Sequence, residues 1–276
     1  MKIYGTAKGG ALNKKDFGVA FGGAAPTPFS DDSDLKGYYK FNETSGDIVN
    51  QSESDESVGT SGNIDITGGD YDQDAGSPFE YSMEFDGTTS EFGVFGTSLT
   101  DWKFTHDDSG ITTTICFWAK VNSTPASGVE EYFLSIINTD AYHGFMWRYN
   151  NNMAMQYSIN SGNGSNIITE ADYYTTSDYI PDTDSWHFYV IQFDISLASN
   201  NITVWRDAAN KENFDKSGNT PESTNSKYAL TVGARGSDHK KNGDFYICEL
   251  SIWDRILTEA EIIELYNNGA GKAIYL

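Results

Sequence analysis

The chain has 276 residues, 14% of them aromatic, and its 18 Lys and Arg against 40 Asp and Glu give a net charge of −22 at pH 7. That aromatic content excludes a disordered acidic tail, and no apolar run reaches the roughly 18 residues of a membrane-spanning helix. The negative charge argues against nucleic acid or an anionic lipid surface as partner, since both require clustered Lys and Arg.

Residues 1–34 differ in kind from the rest of the chain. They are rich in Gly and Ala, and the first fifteen carry Lys2, Lys8, Lys14 and Lys15 with no acid, so all 40 acids lie beyond them. This asymmetry points to an extended docking arm, basic at its start, with Leu12, Phe17 and Phe21 as apolar contacts. A chain end without a role is the equal alternative. Residues 1–8 hold no apolar stretch of signal-peptide length, so export by that route is not expected.

From Leu35 to residue 276 the pattern is that of one domain built from strands. Short apolar runs recur at residues 36–42, 81–86, 92–95, 132–137, 145–149, 153–159, 186–193, 202–205, 228–232 and 245–253. Between them lie Gly, Asn, Asp and Ser clusters with the composition of turns, as at residues 161–166. Over residues 111–121, Ile111, Thr113, Ile115, Phe117, Ala119 and Val121 alternate, the period of a half-buried strand. The fold class expected is all-β: a two-sheet antiparallel jelly-roll sandwich. One short helix closes it. Thr258 is placed to cap and Glu261 to return the bond, with Ile262, Ile263, Leu265 and Tyr266 as the apolar stripe and Gly269 as the stop.

Cys116 and Cys248 each sit in an apolar run and are expected to be inert buried thiols, a bridge between them being the alternative. No catalytic set is legible. Glu84 and Asp86 share a strand face, as the carboxylates of a glycosidase can, but the third acid of such a motif is missing, and an edge strand with its turn is the better reading. The four His residues lack metal-ligand spacing. Asp70, Asp72 and Asp74 alternate like the opening of a calcium loop, yet Ala75 and Tyr81 stand where Gly and Glu are needed, so a solvated acidic loop is favoured. Loop-borne aromatics give a glycan-binding reading, because a sugar ring offers an apolar face to stack upon. The candidates are Trp102, Tyr142, Tyr173, Tyr174 and Tyr179, with packing lids over the sandwich ends as the favoured alternative. The tryptophans at 118, 147, 186, 205 and 253 read as core.

The stretch Asn242–Gly269, in which an apolar strand runs into Arg255-Ile-Leu-Thr-Glu-Ala-Glu-Ile262 and a final Gly, is similar to the closing signature of the laminin-G-like, concanavalin A-like jelly-roll domains. Tyr38–Gly46 resembles that family's opening strand, Glu84–Gly87 its "Phe-Asp-Gly" edge, Phe117–Val121 its central "Trp-Val-Lys" strand, and Ser185–Phe188 its "Trp-His" strand, followed by Ile202–Asp207. The resemblance covers about residues 35–270. It implies a calcium ion held in part by a first-loop acid, here Asn50, and a late Asp-Glu pair, here Cys248-Glu249, with one carboxylate fewer than the family pattern. The layout of basic arm plus acidic sandwich resembles bacteriophage virion proteins. It implies a non-catalytic capsid decoration or tail-fibre component at the virion surface, with other virion proteins or further copies of itself as partners. A free-standing lectin-like module at a cell surface, binding carbohydrate, is the alternative.

Overall fold

In the computed structural model the described residues are 29, 33–52, 62–73, 75–88, 90–96, 99–106, 112–136, 144–153, 155–159, 180, 182–183, 185–215 and 228–274. The arm contacts expected at Lys2, Lys8, Leu12, Lys14, Lys15, Phe17 and Phe21 lie outside them. Thirteen strands form among the described residues. One sheet holds β1 (Leu35–Tyr39), β3 (Met83–Asp86), β5 (Thr112–Val121), β9 (His187–Asp194), β10 (Ile202–Arg206), β11 (Asn210–Phe214) and β13 (Asp244–Trp253). The other holds β2 (Ile64–Thr67), β4 (Phe92–Phe95), β6 (Glu130–Ser135), β7 (Phe145–Asn150), β8 (Met155–Ile159) and β12 (Thr231–Val232). Every strand pair is antiparallel. The first sheet runs β1-β13-β5-β9-β10-β11, with β3 pairing the early half of β13 and β1 its late half. The second runs β2-β4-β12-β6-β7-β8. The expected jelly-roll sandwich is the observed architecture.

The core lies between the sheets. Ile115, Phe117, Ala119 and Val121 of β5 point into it, as the alternation predicts, beside Ile247 and Leu250 of β13 and Phe133 and Leu134 of β6. The opposite face of β5 is not solvated. Cys116 and Trp118 belong to a second apolar cluster with Tyr38, Phe188, Trp253, Leu257, Ile262 and Leu265. This corrects the half-buried reading of β5. The cause is α1 (Glu259–Tyr266), which lies over the outer face of the first sheet and removes its apolar positions from water. Phe29 joins that cluster, edge-on to Trp253 at 5.8 Å.

The start of α1 is as expected. Thr258 Oγ1 accepts from the Glu261 amide at 3.3 Å, and Glu261 Oε2 accepts from the Thr258 amide at 2.6 Å. The stripe is narrower than expected: Ile262 and Leu265 are buried, Tyr266 is half-buried, and Ile263 is 48% exposed. At a helical period, four residues within five positions cannot share one face.

Two β-bulges set which side chains enter the core. In β6, Tyr132 pairs with Arg148 and Leu134 with Trp147, so Phe133 is the extra residue, and both Phe133 and Leu134 face inward. In β13 the register slips between Cys248 and Ser251, with Glu249 at φ +53°. Simple alternation after Cys248 would drive Glu249 between the sheets. The bulge turns it to the outer side instead, where it meets Tyr38 and Tyr81.

Candidate functional site

On the outer side of the first sheet, a groove of about 510 Å³ opens between the 75–78 loop, the start of β9 and the end of α1. Trp118 forms its floor, while Trp186 and Tyr266 line it as half-buried rings. Tyr266 is held by stacking, nearly parallel to Trp118 (5.7 Å between centroids, 13°) and to Phe188 (6.4 Å, 23°). Burial raises its phenol pKa. Trp186 is fixed by its indole N–H, which donates to the Ala75 carbonyl at 3.0 Å. The same carbonyl accepts from Lys120 Nζ at 3.2 Å, and that ammonium sits 4.9 Å from the centre of the Tyr246 ring. Both aromatic walls are therefore anchored before any ligand arrives.

The polar side of the groove comes from Ser185, His187 and Asp207. Asp207 sits in the turn from β10 to β11 at φ +54°, a backbone region that Asp and Asn tolerate better than most residues. Its Oδ1 accepts from the Phe188 amide at 3.0 Å, and its Oδ2 lies 2.7 Å from His187 Nδ1. His187 Nε2 is 3.7 Å from Asp182 Oδ2. The arrangement offers a flat apolar surface, a hydroxyl, an imidazole and a carboxylate around one cleft. Among the described lining residues Asp207 is the one carboxylate, whereas glycoside hydrolysis in its common form uses two.

Of the aromatics proposed from sequence, Trp102 is a core residue. It is 2% exposed, edge-on to Phe95 at 5.7 Å and 6.0 Å from Phe104. A Cβ at Gly37 would stand 2.9 Å from its ring, so glycine is what lets Trp102 close the sandwich end. It offers no face to a ligand, because its loop folds inward. Tyr142, Tyr173, Tyr174 and Tyr179 lie outside the described residues, as does Asp74.

Glu84 and Asp86 are on edge strand β3 and its turn, as read from sequence. Glu84 Oε1 accepts from Asn122 Nδ2 at 3.2 Å, and Asp86 Oδ1 accepts from the Thr88 amide at 2.8 Å. Asp70 bridges Glu84 through the backbone, and Asp72 takes φ +56° in an exposed loop. Among the described residues no group of three or more His, Cys, Asp or Glu converges as a metal site.

Asn50 and Glu249 both have their side-chain oxygens engaged within the protein. Asn50 Oδ1 already accepts from the amides of Tyr38 and Ser52, both at 3.0 Å, and so acts as a loop clamp. Both Glu249 oxygens accept tyrosine hydroxyls, from Tyr38 and Tyr81. Burial raises this carboxyl to about 7, against the lowering effect of those hydroxyls and of Lys40. Cys116 and Cys248 are free and buried, the first within 2.9 Å of Ser251 Oγ and the second within 3.5 Å of Ser77 Oγ. Burial pushes the Cys116 thiol up to about 12, in keeping with an inert thiol.

Sequence reasoning places Trp186 in the core and Tyr266 in the helix stripe, and it gives Asp207 no role. A signal does exist. Trp186 stands immediately before β9, shortly after Asp182 and Ser185, where an aromatic borders a polar loop.

The fold resembles solved structures at low identity. The botulinum neurotoxin serotype D binding domain matches with a TM-score of 0.59 and 12% identity, over 85% of this chain and 52% of that one. The binding domain of botulinum neurotoxin DC in complex with SialylT matches with a TM-score of 0.58 and 12% identity, over 87% and 52%. Trypanosoma rangeli sialidase in complex with sialic acid matches with a TM-score of 0.56 and 10% identity, over 88% and 34%. The chain thus spans about half of the toxin domains and a third of the sialidase. No curated protein matches it in sequence. Residues 96–263, more than half of the chain, match the model of the laminin-G-like family described as the concanavalin A-like lectin/glucanases superfamily, and the chain belongs to that family.

Proposed function

We propose that the protein is a non-catalytic carbohydrate-binding module that seats a sugar ring in the outer groove against Trp186 and Tyr266. The observation that carries this reading is the meeting of two anchored, half-buried aromatic rings with Ser185, His187 and Asp207 in one open cleft of about 510 Å³. A pyranose ring has apolar C–H faces that stack on such rings and a rim of hydroxyls that a carboxylate can accept. The fold, shared with toxin binding domains and a sialidase bound to sialic acid, is in keeping with this use.

Trp186→Ala tests it. Losing one stacked ring removes about 1–2 kcal/mol, so affinity for the best neutral oligosaccharide in a panel is expected to fall roughly five- to thirtyfold, read by calorimetry. Trp186→Phe should retain part of it. Trp186 is only half-buried, so thermal unfolding should shift little. Unchanged affinity in Trp186→Ala would remove the groove from the reading.

Display on an assembled particle, as a virion surface component docked through its N-terminal residues, is the finer part of the proposal. The charge asymmetry supports it: four lysines and no acid in the first fifteen residues, ahead of a strongly acidic body. Phe29 packs on Trp253 and carries Lys272 Nζ 5.6 Å from its ring centre, so a truncation that spares the sandwich ends before Phe29. Deleting residues 1–28 should abolish incorporation into particles while leaving the unfolding midpoint in place. Full occupancy by the truncated chain would end the docking role.

A further inference from the structure

We propose that the groove selects uncharged sugars and rejects anionic ones, sialylated glycans included; the inference rests on the groove being a sugar site. Recognition of a sugar carboxylate or sulfate calls for a guanidinium, an ammonium or converging N–H donors aimed at the anion. No Lys or Arg is among the described residues that line the groove. Lys120, the ammonium bound to the Ala75 rim, already faces the Ala75 carbonyl and the Tyr246 ring. Arg206 Nε stands 3.8 Å from Asp207 Oδ2 but does not line the cleft.

What the groove does present is the Asp207 carboxylate, paired with the His187 imidazole at 2.7 Å. Asp182 lies behind His187, 3.7 Å from Nε2. The chain as a whole carries −22, which adds a repulsive field that falls off with salt. A neutral ring meets none of this repulsion. Its hydroxyls can donate to Asp207, while its C–H face rests on Trp186 or Tyr266. The aromatic walls serve either class of ligand equally, so the charged lining makes the choice between them.

The experiment uses the full chain and pairs of oligosaccharides that are identical except for a terminal sialic acid or a sulfate. Neutral members are expected to bind about tenfold more tightly than their anionic partners at low salt, with the ratio shrinking as salt rises. Asp207→Asn keeps an acceptor for the Phe188 amide and suits φ +54°, yet removes one charge. It is expected to reduce the neutral-to-anionic ratio about threefold. An anionic member that binds as well as its neutral partner, and loses that binding in Trp186→Ala, overturns the selectivity and leaves the sugar site standing. A panel in which no sugar binds removes the sugar site and the selectivity together. An Asp207→Asn ratio equal to the native one also overturns the proposal.

Discussion

Glu249→Gln is expected to stabilise the folded protein by about 3 kcal/mol at pH 8 and to change its stability little at pH 4.5. Glu249 is 6% exposed, and its carboxyl is raised by burial to about 7, with the Tyr38 and Tyr81 hydroxyls and Lys40 only partly opposing that rise. The sign depends on which state holds the proton. Below the unfolded value near 4.5 the group is protonated in both states and favours neither. As pH rises the unfolded chain ionises first while the folded one resists, so stability falls until the folded group titrates near 7, and the loss is constant above that. A gap of about 2.5 pH units corresponds to roughly 3 kcal/mol. Burial also raises both tyrosines, with the Glu249 charge adding to the effect, so their hydroxyls remain donors throughout this range. A glutamine, like a protonated glutamate, presents one acceptor and one donor to the two hydroxyls. Urea unfolding of both proteins from about pH 4.5 to 8 checks this. A Gln–Glu difference that stays flat across the range contradicts it.

Phe133→Ala should cost about 3–5 kcal/mol, the range for deleting a buried aromatic side chain. Phe133 is fully buried, and its ring meets Phe245 at 4.8 Å, Tyr149 at 4.7 Å, Phe117 at 5.3 Å and Tyr189 at 6.3 Å. Those partners come from β13, β7, β5 and β9, so one side chain joins both sheets. Phe133→Leu should cost less than half as much, because a large apolar residue still fills most of the space. The check is the denaturant midpoint of each variant at constant pH. A loss near about 1 kcal/mol for alanine would mean that the neighbouring rings close over the space.

Where alternation is strong and buried, the fold is legible in the sequence. β5, β9 and β13 can be read from period two and β-branched or aromatic content, and the α1 start from Thr258 and Glu261 alone. β2 and β11 are not legible. Ile64-Asp-Ile-Thr67 is only four residues long, and Asn210-Lys-Glu-Asn-Phe214 is nearly all polar, as suits an edge strand that leaves one side to water. The bulges escape for a different reason: an extra residue is defined against its partner strand, and residue order alone does not contain the pairing. The candidate site is the least legible part. Trp186, Asp207 and Tyr266 are far apart in the chain, and a strand tryptophan looks the same whether a helix covers it or a cleft opens beside it. Trp102 shows the converse, since a loop position suggests exposure although the loop closes inward over Gly37.

Leu35 pairs with Trp253, and β13 borders β1, β3 and β5 at once. During synthesis β1 must therefore wait for β13. A nascent chain stalled on the ribosome before Asp244 would hold β1, β3 and β5 without the strand that pairs with all three, leaving their edges open to other chains. Completion is then all-or-nothing: the final strand seats three neighbours in one event, and premature stop codons upstream of it should yield aggregates rather than a smaller working domain.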